Sequence, residues 1–123
     1  MAVLELNKDN FDATIQDNDI VILDFWAPWC GPCKQFAPTY DETSEKIDGV
    51  VFAKVNTEDE QELASHFQIR SIPTLTIFRD QIAIFSQPGA MSATDLEAVI
   101  GKAKDLDMDV VRKEIEEQQK KEA

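Results

Sequence analysis

The chain has 123 residues, 43% of them hydrophobic and 29% charged, and carries a formal net charge of −12. A chain of this size fits one domain and can bury a core without disulfide or metal staples, and its composition excludes a disordered chain. Its charge repels phosphate backbones and anionic lipid, which sets aside nucleic acid and membrane surfaces as partners.

Residues 1–101 hold 17 acidic and 6 basic side chains, and residues 102–123 hold 7 and 6. The acidity therefore belongs to the globular part; it names no partner, and solubility alone accounts for it equally well. Residues 1–7 have neither the basic flank nor the apolar run of a signal peptide. The longest strongly apolar stretches, 20–23 and 75–78, are too short to cross a bilayer. A soluble, cytoplasmic protein in a reducing compartment is expected.

In chain order, residues 3–6 suit a short strand, and Asn7 suits the N-cap of a helix that carries Phe11 and Ile15 on one face. Asp17-Asn18-Asp19 ends it with turn formers. Residues 20–26 are β-branched, aromatic and almost continuously apolar, as a strand buried on both faces should be. Only Asp24 interrupts them. A helix follows from Cys30 to about Ile47, with Phe36, Tyr40 and Ile47 near one face and a kink expected at Pro38.

Residues 50–55 read as a second buried strand, and residues 58–67 as an acidic helix with Leu63 and Phe67 four apart. Residues 75–78 read as a third central strand, with 82–85 as its hairpin partner. Ser92-Ala93-Thr94-Asp95 is a near match to a capping box, opening a helix with Leu96, Val99, Ile100 and Ala103 on its apolar face. Such alternation implies an α/β fold of βαβ units, with a mixed sheet and helices on both faces.

Residues 1–105 form the expected domain and residues 106–123 a charged, helical extension. In that extension Met108, Val111 and Ile115 repeat at helical spacing, and Arg112 stands four before Glu116. A helix so short is marginal alone, so a fraying extension and a docked or partner-binding helix both stay open.

The only two cysteines lie in Trp29-Cys30-Gly31-Pro32-Cys33-Lys34. A structural zinc site needs further Cys or His ligands, and the sole histidine, His66, lies in a helix remote from the motif. A c-type haem site needs His where Lys34 stands. A disulfide closing so small a loop removes little unfolded-state entropy, which argues against a staple. Redox exchange remains, and a Cys-x-x-Cys after a buried strand at a helix start supports it. Unpaired N–H groups and the positive helix end stabilise a thiolate at Cys30, the nucleophilic form. Cys33, one turn inward, should be less exposed. Gly31 allows a tight bend, Pro32 fits the first helical turn, and Trp29 with Pro32 gives the rim an apolar contact surface.

Phe25-Trp26-Ala27-Pro28-Trp29-Cys30-Gly31-Pro32-Cys33-Lys34, with Ala37-Pro38 after it, resembles the thioredoxin family. So do Ala53-Lys54-Val55-Asn56, Ile69-Arg70-Ser71-Ile72-Pro73-Thr74 and Pro88-Gly89-Ala90, in order. The resemblance spans about residues 4–105 and implies a thioredoxin fold, a central mixed β-sheet flanked by helices on both faces. It implies a protein-disulfide reductase in which Cys30 attacks a client disulfide and Cys33 resolves the mixed disulfide. Thioredoxin reductase, with electrons from NADPH, then restores the dithiol; no cofactor or metal is bound by the chain itself, and a monomer is expected.

The resemblance further implies that Asp24, buried, helps deprotonate Cys33 through water, and that Lys54 pairs with it. The alternatives are an outward-facing carboxylate and a plain surface lysine. Pro73 is implied to be a cis proline facing the cysteines, rather than a turn proline only. Its neighbour Ile72 pairs with the client backbone, and Gly89 and Ala90 complete the groove. Trp26 is implied to pack near Asp24. Four departures stand out. Asp80-Gln81 replaces the family's Asn-Gly or Asp-Gly turn, which implies a longer or strained turn. Gln68 replaces a helix-ending glycine, Ser71 alters the groove rim, and Pro88 removes a backbone donor there. A second class of function, a binding or adaptor module acting through the C-terminal helix, also stays open.

Overall fold

The structure is a computed structural model that describes residues 3–122. Met1, Ala2 and Ala123, the outer ends of the two expected segments, lie outside the described residues. The elements run β1 (Val3–Glu5), α1 (Phe11–Asp17), β2 (Ile20–Trp26), α2 (Gly31–Lys46), β3 (Val51–Asn56), α3 (Gln61–His66), β4 (Thr74–Arg79), β5 (Ile82–Pro88), α4 (Ala93–Asp105) and α5 (Met108–Glu122). The strands form one sheet in the order β1-β3-β2-β4-β5. β1, β3 and β2 are mutually parallel, while β4 and β5 are antiparallel additions. It is the mixed α/β sheet that the alternating pattern implies.

β2 lies at the centre, paired on both edges, and this explains its lack of polar alternation. Its side chains divide between two cores. Ile20 and Ile22 pack on one face with Phe36, Tyr40, Phe52, Leu96 and Ile100. Val21, Leu23 and Phe25 pack on the other with Phe11, Ile15, Val55 and Phe78. Asp24 belongs to the first face by alternation and is only 4% exposed. Beneath it, the buried Tyr40 hydroxyl is 2.7 Å from the Ala53 carbonyl and 3.0 Å from that of Ile22, spanning β2 and β3.

Several boundaries differ from the sequence expectation. Asn7 caps a single turn, its Oδ1 accepting from Asp9 N–H and Asn10 N–H, and α1 begins only at Phe11. α3 is shorter than residues 58–67, because residues 57–59 are turns. Its end is a Schellman motif: Ile69 N–H reaches Ala64 O and Gln68 N–H reaches Ser65 O, with Gln68 itself at φ 55°. The β4–β5 turn is not lengthened. Asp80 and Gln81 both take positive φ, 50° and 70°, in a two-residue turn closed by the Arg79–Ile82 pair. Ser92 Oγ accepts from Asp95 N–H at 3.1 Å, which starts α4.

The C-terminal segment is helical and anchored at its first turn. Met108 is buried, Asp107 Oδ1 accepts from Asp109 N–H, and Arg112 bonds Asp80 and Asp109. Arg112 thus pairs with the hairpin turn, and Glu116 pairs instead with Lys120. Arg79 Nη1 donates to the carbonyls of Ala103, Lys104 and Leu106, capping α4 and the link to α5. No helix among the described residues is long and apolar enough to cross a membrane.

Candidate active site

β2 ends at Trp26 and α2 begins at Gly31, so the cysteine motif sits where the central strand hands over to a helix. Trp26 O accepts from both the N–H and the hydroxyl of Thr57, which ties this loop to the end of β3. Cys30 is the N-cap of α2: its carbonyl accepts the first helical bond from Lys34 N–H, and its Sγ accepts from Cys33 N–H at 3.3 Å. A sulfur in that position satisfies one of the helix's orphan donors and is favoured as an anion.

Cys30 and Cys33 form a disulfide, with their Cα atoms 5.2 Å apart. Both are nearly buried, at 5% and 2% exposed, with Cys33 the deeper. Pro32 lies in the first turn of α2, where no N–H is required. The bend before α2 does not depend on glycine at position 31. Gly31 is not at positive φ, and a Cβ there would meet nothing within 4 Å.

Around the pair the structure assembles a shallow rim. Trp29 is 67% exposed, its indole N–H bonded to the Glu58 carboxylate. Opposite, Cys30 Sγ lies 3.7 Å from Ile72 O, and the Ile72–Pro73 peptide is cis. Pro73 is buried and its carbonyl accepts from Gly89 N–H at 2.7 Å. Gly89 has φ 101°, a conformation only glycine takes readily, so the turn that brings its N–H back to Pro73 depends on this residue. Pro88 closes β5, an edge strand, where the lost donor breaks no ladder. Ala90 is exposed beyond Gly89.

Behind Cys33 lies a cavity of about 100 Å³, walled by Asp24, Trp26, Cys33, Lys34, Ala37, Tyr40, Asp41 and Lys54. Asp24 Oδ1 and Trp26 Nε1 are buried there without hydrogen-bond partners. Burial raises the Asp24 pKa to about 7, helped by the Asp41 charge and opposed by Lys54. Asp24 and Lys54 are neighbours across β2 and β3. They make no ion pair within 4 Å, however: Lys54 Nζ sits 5.0 Å from the centre of the Trp26 ring. The interaction implied by the resemblance is therefore one through space, with the ammonium held by the indole face.

The motif residues, Asp24, Trp26, Lys54, Ile72, Pro73 and Gly89 thus meet at one end of the sheet, while His66 is exposed on α3. Three contributors were not assigned to the site from the sequence. Glu58 holds Trp29, Tyr40 braces the strands under Asp24, and Asp41 faces the cavity. For Asp41 a signal existed in the spacing 33, 37, 41, which lies along one helix face.

A thioredoxin family model matches residues 2–102. A putative thioredoxin 2 of Streptomyces coelicolor is 55% identical over 118 residues, covering 96% of this chain and 88% of its own length. An alignment of that length includes most of residues 106–123. The thioredoxin of Haemophilus influenzae is 42% identical over 96 residues, 76% of this chain and 90% of its own. Among solved structures, a mutant thioredoxin from Halobacterium salinarum superposes with a TM-score of 0.79 at 31% identity, covering 85% of this chain and 93% of that one. The chain belongs to the thioredoxin family, and its activity is that of a protein-disulfide reductase.

Proposed function

We propose that the two cysteines have unequal roles. Cys30, as thiolate, attacks a client disulfide; one client sulfur leaves as thiolate and the other stays bonded to Cys30. Cys33 then gives up its proton and attacks Cys30 Sγ, which releases the second client thiolate and regenerates the Cys30–Cys33 disulfide. Two electrons have passed from the dithiol to the client. The observation that carries this reading is the Cys33 N–H···Sγ bond to Cys30 at the N-cap of α2, which favours negative charge on Cys30 alone.

Asp24 is the base for Cys33, acting through water in the cavity between them, and Lys54 tunes it from 54's place on β3. Trp29, Gly31, Pro32, Ile72, Pro73, Gly89 and Ala90 form the client groove. In it the free edge beside Ile72 pairs with an extended client backbone. Thioredoxin reductase returns the pair to the dithiol with electrons that originate in NADPH. The protein works in the cytoplasm as a monomer, with disulfide-containing proteins as clients and no nucleic acid or membrane partner.

Reduction of insulin disulfides, with dithiothreitol or the reductase as electron source, tests the reading directly. Folded protein with no activity over background would refute it. Cys33→Ser should accumulate mixed disulfides on Cys30, and absence of any trapped client would overturn the assigned roles. A second reading, an adaptor role for α5, draws on the exposure of Val110 and Ile115 at 50% and 37%. Removing residues 106–123 separates the two: the reductase reading predicts unchanged insulin reduction.

A further inference from the structure

The cavity behind Cys33 has a second end. Cys33, Ala37 and Asp41 follow one another at four-residue spacing along α2 and form one wall; β2 and β3 supply Asp24 and Lys54 opposite. Cys33 and Asp24 are buried, whereas Ala37 and Asp41 are exposed and Lys54 is half-buried. The cavity therefore runs from the resolving sulfur, past Asp24, to solvent on the α2 flank. The rim formed by Trp29, Pro32, Ile72 and Gly89 is a different surface, and it is the one a client covers.

We propose that this cavity is the outlet through which the Cys33 proton reaches solvent while a client occupies the front of the site, with Asp41 as the acceptor at its mouth. The inference rests on the reading of Asp24 as base for Cys33. When the mixed disulfide resolves, the Cys33 S–H bond breaks and its electron pair forms the bond to Cys30 Sγ. The Cys30–client bond breaks and its pair leaves on the client sulfur. The proton moves to Asp24 and then, through water, to Asp41 and bulk.

Asp24 and Trp26 both line this space, and each carries a buried polar atom without a partner, Asp24 Oδ1 and Trp26 Nε1, that such water can satisfy. The groups facing Asp24 are Cys33, Lys34, Tyr40 and Asp41 from α2 and Lys54 from β3; its partner on β4, Leu75, is uncharged. Tyr40 does not relay protons, because burial holds its phenol well above the usual pKa and its hydroxyl is committed to backbone carbonyls. Among the residues that line the cavity, Asp41 is then the carboxylate besides Asp24 that can take the proton onward. Its charge also raises the pKa of Asp24.

The test is the single-turnover rate of resolution of a mixed disulfide between Cys30 and a folded protein client, followed by release of client thiol. Asp41→Asn should slow resolution by about tenfold, short of the factor of roughly 100 or more that a directly transferring group supplies. Added imidazole buffer should restore the rate in this variant and leave the wild type unchanged. Ala37→Leu, which narrows the mouth on an exposed helix face, should slow resolution without rescue by buffer. The Asp24 titration followed by NMR should fall below about 7 in Asp41→Asn. Unchanged resolution in both Asp41→Asn and Ala37→Leu, or slowing that buffer does not relieve in Asp41→Asn, overturns the outlet. Asp24→Asn is the control: if it does not slow resolution, the base assignment fails as well.

Discussion

Replacing Asp24 with Asn should make the protein more stable at neutral and alkaline pH, while slowing its chemistry. An unfolded chain ionises this carboxyl near 3.8, and the folded protein near 7. Because the group is 4% exposed, solvent screens little of the difference. Below pH 3.8 both states hold the proton and folding carries no penalty from it. Between the two values the folded state keeps a proton that the unfolded state has released, so stability falls as pH rises. Above 7 the fold must bury the charge, at a cost of about 4 kcal/mol from the displacement of the pKa. Asparagine keeps the shape and cannot ionise. Urea melts of the oxidised forms, in which no free Cys33 thiol couples to the carboxyl, measure the effect. The variant should lie within about 1 kcal/mol of the wild type near pH 4. By pH 8 it should gain about 4 kcal/mol, on the order of 10 °C in Tm. Stability curves that run parallel from pH 4 to 9 would refute the burial argument.

Gln68→Gly should stabilise by about 1 kcal/mol, because Gln68 occupies the αL position of a Schellman motif that glycine adopts without steric cost; a urea midpoint that falls would refute this. Tyr40→Phe should lose about 1–2 kcal/mol in the same assay, since it orphans the hydroxyl's share of two buried carbonyls while retaining the ring packing. Arg79→Met should lose about 1–2 kcal/mol and speed tryptic cleavage within α5, as the carbonyls of Ala103, Lys104 and Leu106 lose their common donor. Unchanged cleavage would show that Met108 and Arg112 hold α5 without it.

What could be read in advance was whatever repeats along the chain or sits beside its own partner. β2 announced itself by composition, because both its faces are covered. Cys30 announced itself too, because the capping relation to Cys33 spans three residues and leaves a local mark. The thioredoxin resemblance carried further, reaching Asp24, Pro73 and Gly89, which no periodicity links to the cysteines. Features made by contacts across the fold stayed hidden. Arg79 looks like an ordinary strand-end cation until α4 is seen to end beside it. Arg112 has an acidic residue four places on, yet it chooses Asp80, thirty-two residues away, because the turn and α5 meet in space. The sequence left the turn at Asp80-Gln81 open between a longer loop and a strained one, and the strained one is what forms. Antiparallel pairing on either side is strong enough to force both residues into left-handed backbone despite the absence of glycine.

The anchoring of α5 has a practical side. Arg79 and Asp80, which grip its base, pair at the Ile20 end of β2, whereas Cys30 follows the Trp26 end. Seven residues of strand separate the two ends, about 20 Å at the usual rise. A fluorophore, a bead or a fused protein attached at the first turn of α5 would therefore sit at the end of the sheet away from the cysteines. Cys30 would stay open to clients, and the immobilised reductase would work as a column matrix or a sensor surface with its reactive face turned outward.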